Sequence, residues 1–498
     1  MHDLVVVSDL HLGRGKNPET GRFFGLETFF WDDDFRRFCA HLRKEATDRA
    51  TSLRLVLNGD VFDLLRIEPV DGGGALTPAT AAETVRAILG GHPSFAEGLA
   101  TILASGHEVL LLPGNHDPEI QWRPVQDVVR AAILKRLRAH MGDEEADGAI
   151  RGLRFEPWFH HEPGRIWIEH GCQYDPEGAF RYPLRSGLVD QPDALHEAEL
   201  DLPLGNFFQR YLYNAFGSIT FIVPSTRAHF RYFKWLLFND PRLLFRVTAS
   251  HGPFMFQVLR RLAKVVGTRK DLERAHEEEL GSVAERSGLG EKLRTIDSWK
   301  NVRGDVAQAG SQLLRQLVKI SVAVALLAGL AASLWFAGFH AINELRAGFV
   351  PKALLFLALN FLFLVSGTVA LAYALRTPPS VPPKPMRSAA QRIAQLLDVP
   401  IVTFGHTHDE AIQRMNGSSG GHAWYFNTGT WVSVFTHDVL YPRERVQLTF
   451  LRVRGHEAEL LHWSPGRGEA LPVILIDDDA PREARLRLAE GESSPAAR

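Results

Sequence analysis

Five short apolar runs along the chain stop abruptly on side chains that bind protons or metals. Val109 to Leu112 ends at Pro113-Gly114 and is followed by Asn115, His116 and Asp117. Leu4 to Ser8 leads into Asp9 and His11, Leu53 to Leu57 into Gly59-Asp60, Ile166 to Glu169 into His170, and Ile401 to Phe404 into Gly405, His406, Thr407 and His408. Apolar runs of this length bounded by turn residues predict buried strands. Open α/β sheets place ligands at the carboxyl ends of such strands. The i, i+2 spacing of Asp9 and His11 points both side chains the same way in an extended segment. Turn chemistry accounts for any one of these ends, but five in one chain call for another cause. Between them, helical periodicity covers Thr77 to Ser105 and Val125 to Met141, a Gly-rich turn falls at Asp71 to Gly74, and "VQLTFLRVRGHEAELLHW" predicts a hairpin.

Two longer apolar stretches have no polar face at all. Leu317 to Phe339 carries only Lys319, near its start, and Ala353 to Leu375 carries no charge. As helices each would extend about 35 Å, enough for a hydrocarbon core of about 30 Å, so both are expected to be transmembrane. Arg346 and Lys352 lie in the joining loop, against Lys300, Arg303, Arg315 and Lys319 on one outer flank and Arg376, Lys384, Arg387 and Arg392 on the other. The positive-inside rule then puts both flanks in the cytoplasm. "TPPSVPPKP" reads as a stiff spacer after the second stretch.

Charge changes the picture locally rather than globally. The 498 residues are 45% hydrophobic with a net charge of −2, ample for a core and without an overall nucleic-acid footprint. Residues 206–270, by contrast, hold eleven Lys and Arg against Asp240 alone, interleaved with Phe, Tyr and Trp. That mixture suits interfacial helices on anionic lipid, while aromatic stacking on single-stranded nucleic acid is the competing reading. Residues 271–300 are mixed in charge and expected as a solvated helix. Cys39 and Cys172 are too few for a disulfide framework, which fits a reducing compartment, and no N-terminal signal peptide is expected, the first apolar run being the short strand that ends at Asp9. The remaining histidines, His92 among them, match no ligand pattern and are expected at the surface or partly packed.

The donors gathered at the strand ends are Asp9, His11, Asp60, Asn115, His170, His406 and His408. A mixed oxygen and nitrogen set without thiolate suits Mn²⁺, Fe²⁺ or Zn²⁺ in a working site rather than a structural zinc. Seven ligands exceed the needs of one such ion, and a carboxylate can bridge two.

Asp9-x-His11, Gly59-Asp60, Gly114-Asn115-His116-Asp117, His170 and Gly405-His406-x-His408, in this order, resemble the motifs of the calcineurin-like metallophosphoesterases. The resemblance implies an α/β four-layer sandwich, two mixed β-sheets flanked by helices. It implies two divalent ions, Mn²⁺ first and Fe²⁺ or Zn²⁺ next. One would be held by Asp9, His11, Asp60 and His408, and the other by Asp60, Asn115, His170 and His406. His116 would face the leaving group and Asp117 would orient it. "DLHLG", "EHGCQYDPEGAFR" and the basic aromatic insertion are similar to the branch that includes UDP-diacylglucosamine pyrophosphohydrolase, which acts on a lipid-linked diphosphate. The chain departs from that branch at His116, where the pattern has Arg, and in its membrane hairpin.

The expected organisation is a phosphoesterase core from residues 1–200 and 386–478, a basic aromatic helical insertion over 201–310, a transmembrane hairpin over 317–375 and a disordered tail over 479–498. The expected activity is hydrolysis of a phosphate ester or pyrophosphate, a lipid-linked substrate included, by a multi-pass inner-membrane enzyme with its catalytic domain in the cytoplasm. Its expected partners are that substrate and membrane lipids, with no stable nucleic-acid partner. A nucleotide or nucleic-acid phosphodiesterase is the alternative, and a non-catalytic scaffold the third reading.

Overall fold

A computed structural model of the chain describes residues 2–67, 77–184, 203–211, 270–302, 329–374, 384–436, 448–455 and 457–477, with a few shorter stretches. The Gly-rich turn, most of the basic aromatic segment, residues 317–328 of the first apolar stretch and most of the proline-rich spacer fall outside them.

The strands follow the apolar runs. In chain order they are β1 (Asp3–Val7), β2 (Leu53–Asn58), β3 (Glu108–Leu112), β4 (Leu153–Phe155), β5 (Phe159–Glu162), β6 (Ile166–Glu169), β7 (Thr220–Phe221), β8 (Ile401–Phe404), β9 (Ala411–Asn416), β10 (His422–Asn427), β11 (Val434–Thr436), β12 (Val439–Leu440), β13 (Leu448–Arg454), β14 (Glu457–Ser464) and β15 (Glu469–Pro472). The first sheet runs β15-β14-β13-β1-β2-β3-β4. In it β1 to β4 are parallel and the expected hairpin β13-β14 joins antiparallel. The second sheet runs β5-β6-β8-β10-β9, with β6, β8 and β10 parallel at its centre. The protein is therefore mixed α/β with two mixed sheets.

Alternation along each strand sorts side chains into separate cores. Val5, Val7, Leu55, Leu57, Val109 and Leu111 face a cluster with Phe35, Phe38, Val85, Leu99 and Val129, contributed by helices Asp32–Asp48, Pro78–Gly91, Pro93–Leu103 and Arg123–Leu137. Leu4, Val6, Val56, Leu110 and Leu112 face the other way, onto Ile166, Ile168, Ile401 and Phe426 of the second sheet. Trp167, Val402, Phe404 and Tyr425 then pack against Met386, Ala390 and Ile393 of helix Lys384–Leu397. The periodicity over Thr77 to Ser105 resolves into two helices because Pro93 cannot continue the first and starts the second.

Two expectations need correction. Helix Lys270–Arg286 is not merely solvated: Leu272, Leu280, Val283 and Ala284 are buried, the last three in the same cluster as the 384–397 helix. The tail beyond 479 contains short strands at Ala480–Glu483 and Arg485–Arg487, the latter paired with β14. Of the two expected transmembrane helices, one is described as a helix long and apolar enough to span a bilayer, within Phe349–Ala374, whereas residues 317–328 of the other lie outside the described residues. Residues 329–344 are helical as well and precede it. Trp335 lies against Phe356, Phe339 against Phe356, and Lys352 Nζ donates to Asn343 O at 2.6 Å, so the two helices pack as an antiparallel hairpin.

Candidate metal centre

Because β1, β2 and β3 are parallel, their carboxyl ends share one edge, and the loops leaving them are laced together. Asp9 N donates to Gly59 O, His11 N to Asp60 O, and Leu64 N to His116 O. In the second sheet Gly405 N donates to His170 O at 3.0 Å, which fixes the loops after β6 and β8 beside each other. The backbone is bent hard at these ends. Asp9, His11, Asp60, His406 and His408 all have positive φ, five of the seven non-glycine residues that do so among the described residues. Such angles cost free energy in ordinary residues and persist where surrounding structure imposes them. Two glycines permit the close approach: a methyl group on Gly114 would lie 2.1 Å from Asp60 Oδ1, and one on Gly405 would lie 2.5 Å from Asp9 Oδ2.

The seven donors expected to ligate are brought together and buried. Ligand atoms of Asp9, His11, Asp60 and His408 lie within 4.8 Å of one another, as do those of Asp60, His170 and His406. Asn115 joins the second group, its Oδ1 3.3 Å from His170 Nε2. Asp60 belongs to both: its Oδ2 is 3.7 Å from His11 Nε2 and 3.3 Å from His170 Nε2, while Oδ1 accepts the His116 amide at 2.7 Å. His11 Nε2 and His408 Nε2 stand 3.0 Å apart, and His408 Nε2 is 3.2 Å from Asp9 Oδ1.

Four observations fit these residues to a bound cation. Nitrogen and oxygen ligands about 2.0–2.2 Å from one ion sit roughly 3–3.5 Å from each other, close to the spacing found. Asp9 Oδ1 is buried and has His408 Nε2 at 3.2 Å without a well-formed hydrogen bond, and an acceptor so poorly satisfied is costly unless a further partner is present. Three imidazoles donate away from the cluster: His11 Nδ1 to Asp63 Oδ2 at 3.1 Å, His170 Nδ1 to Asn58 O at 2.9 Å, and His406 Nε2 to Asp175 Oδ2 at 2.9 Å. Each such bond turns the other ring nitrogen, with its lone pair, toward the cluster, the usual support of a ligating histidine. The potential is also right: burial opposes a charge on His170, yet the Asp60 and Asp9 carboxylates hold its pKa up at about 10. A metal ion would displace that proton. Burial takes His11 the other way, to about 4, so it is neutral.

His116 sits beside the cluster, its ring 4.6 Å from that of His11 and edge-on to it. It is held by Asp63 rather than by Asp117: His116 Nδ1 donates to Asp63 Oδ1 at 2.8 Å. Asp63 is fixed in turn by Arg66, whose Nη2 and Nε donate to Asp63 Oδ2 at 2.8 and 3.1 Å. Burial would lower the His116 pKa, but Asp63 and Asp60 overcome it and raise it. Asp117 instead accepts the backbone amides of Gly114, Asp60, Val61 and Phe62, which locks the loop carrying Asp60 to the loop carrying Asn115. Burial and the Asp60 carboxylate push its pKa up to about 7. The expected orientation of His116 by Asp117 is thus corrected, because the neighbour in sequence turns toward backbone donors while a residue 53 positions away supplies the acceptor.

Asp63, Asp175 and Asn206 were not among the sequence candidates. Asp63 had a signal, a second carboxylate three residues after Asp60, and Asp175 had one in "HGCQYD". Asn206, which bonds Asn115, had none.

No protein-family model matches the chain, and no curated protein matches it. The arrangement therefore stands on its chemistry: buried Asp and His groups that can hold metal ions.

Proposed function

We propose that the protein is a dinuclear metal-dependent phosphoesterase of the calcineurin-like type, anchored to a membrane. The observation that carries this reading is the Asp60 carboxylate, shared between two groups of ligand atoms with His116 alongside. The succession of helices, sheet, sheet and helix around three apolar clusters supports the four-layer arrangement that the motifs imply.

Asp9, His11, Asp60 and His408 would hold one divalent ion, and Asp60, Asn115, His170 and His406 the other. Bound there, the ions would neutralise charge on a phosphoryl group and lower the pKa of water. The chain supplies the rest. His11, His170 and His406 are aimed by Asp63, Asn58 and Asp175, so the ligand lone pairs are preorganised. His116 carries a proton made more stable by Asp63 and Asp60, and with Nδ1 engaged by Asp63 its Nε2 is the nitrogen left to deliver it to a leaving oxygen. Arg66 keeps Asp63 ionised, since its guanidinium and the His116 imidazole outweigh burial and hold that carboxyl well below its usual range.

The apolar hairpin supports attachment to a bilayer and makes a lipid phosphate or lipid-linked diphosphate the favoured substrate class. Purified full-length protein in detergent, supplied with Mn²⁺, should hydrolyse one or more of lipid phosphates, nucleotide diesters and a generic nitrophenyl diester. Hydrolysis of none, with chelator and Mn²⁺ giving the same rate, overturns the reading; preference for nucleotide diesters over lipids overturns the substrate class.

A further inference from the structure

Asn206 lies on helix Leu204–Tyr211, the first element described after residue 202 and part of the insertion that leads toward the apolar hairpin. It is buried and clasps Asn115 at two points: Asn206 Nδ2 donates to Asn115 O at 2.6 Å, and Asn115 Nδ2 donates to Asn206 Oδ1 at 3.0 Å. The pair leaves no freedom of assignment. A main-chain carbonyl only accepts, so Asn206 must present its NH₂ there, which places its carbonyl oxygen against the Asn115 side chain. Asn115 must answer with its own NH₂, and its Oδ1 is therefore the end turned toward His170. An unrestrained amide can rotate and offer nitrogen instead, which does not ligate a hard cation.

Resting on the metal-centre reading above, we propose that Asn206 is a positioning residue that fixes the Asn115 amide oxygen for ligation, so the insertion completes the metal centre it adjoins. The helix is docked for this task. Gly205 N donates to Glu177 O at 2.9 Å, and a methyl group on Gly205 would lie 2.7 Å from that oxygen, so only glycine allows the approach. Asn214 Nδ2 donates to Leu65 O at 3.0 Å, on the loop after Asp60, and β7 of the insertion pairs in parallel with β11 of the second core segment. The insertion is thereby tied to both halves of the core, and its removal takes away a support of the site.

The test uses full-length protein in detergent, with Mn²⁺ binding followed by calorimetry and Mn²⁺ activation followed with a nitrophenyl phosphodiester, in wild type, Asn206→Leu and Asn206→Ala. Leu keeps the volume and loses both hydrogen bonds, and Ala guards against a packing artefact. One of two Mn²⁺ binding events should weaken about 10–100-fold, the other should keep its affinity, and excess Mn²⁺ should restore most of the rate. Isotherms for Asn206→Leu that coincide with wild type overturn the proposal. So does equal weakening of both events with a lowered melting temperature, which would mark general loss of structure. Wild type that binds two ions but cleaves no phosphate ester overturns the phosphoesterase reading alone.

Discussion

His116 occupies the end of a three-residue chain, Arg66 to Asp63 to His116, in which each member fixes the next. Its proton is stabilised by Asp63 and Asp60, and the same Asp63 steadies His11 through its other oxygen. On the proposed reading, a neutral side chain of similar size at 116 should leave the candidate metal centre intact while removing the proton donor. We expect His116→Gln to lower kcat by about 10²–10⁴ with Mn²⁺ affinity within a few-fold of wild type; unchanged turnover of a substrate with a poor leaving group would count against the role. Away from the centre, His92 is fully buried, contrary to the expectation of a surface or partly packed residue, and lies between Asp32 Oδ2 at 2.8 Å and Glu27 Oε2 at 3.2 Å. Burial opposes its charge, but bonds to the two carboxylates raise its pKa to about 9 from an ordinary 6.5. A pKa raised on folding stabilises the native state below the unfolded value and ceases to do so above the folded one. Thermal stability should therefore hold near pH 6 and fall as the pH climbs from about 6.5 through 9, by an amount on the order of 3 kcal/mol. His92→Gln should flatten that alkaline limb, and an undiminished limb in the variant would assign it elsewhere.

At the scale of elements, the strand ends are rigid because loops from two sheets interlock around them, so crowding there should cost more than elsewhere. A methyl group on Gly405 meets Asp9 Oδ2 and Ser8 Oγ at 2.5 Å, whereas one on Gly90, within helix Pro78–Gly91, meets nothing within 4 Å. Gly405→Ala should lose roughly 1–3 kcal/mol from strain, while Gly90→Ala should be neutral or gain about 0.5–1 kcal/mol from helix propensity. Denaturant titration of the pair checks this, and equal midpoints would refute the picture of a tightly interlocked edge. The same elements show what could be read beforehand. Ile166–Glu169 and Ile401–Phe404 were legible because strands buried on both faces are continuous apolar runs. Helix Lys270–Arg286 was legible as a helix but its buried face was not, because Leu272, Leu280 and Val283 are spread among Glu and Arg that dominate the average. The donors that meet in the buried cluster were legible since each follows a strand within a few residues. Asp63 as the partner of His116, and Asn206 as the partner of Asn115, depend on contacts 53 and 91 residues away, which local pattern does not encode.

For the whole molecule the decisive feature is apolar surface that the protein itself does not cover. Along the hairpin Leu330, Leu334, Phe336, Leu354, Leu357, Phe361, Leu362 and Leu364 are each more than half exposed, and the apolar stretch Phe349–Val369, long enough to cross a bilayer, has mean hydropathy 2.0 with none of it buried inside the protein. Continuous exposure of this kind exceeds what a soluble surface tolerates and calls for an apolar surrounding. The Asn360 amide is satisfied within the hairpin: Trp335 Nε1 donates to Asn360 Oδ1 at 3.3 Å, and Asn360 Nδ2 donates to Phe356 O at 2.7 Å. Internal satisfaction of polar groups is what a hydrocarbon environment requires, since no water is there to replace a missing partner. If lipid is the surrounding, full-length protein in isolated membranes should resist high salt and alkaline carbonate and be released by detergent alone. A variant with residues 317–375 replaced by a short Gly-Ser linker should move to the soluble fraction, retain the clasp of Asn206 on Asn115, and keep Mn²⁺ affinity. Extraction of the intact chain by carbonate would show that the exposed helices meet a protein partner instead, and the membrane assignment, with the preference for lipid substrates built on it, would fall while the metal centre stood.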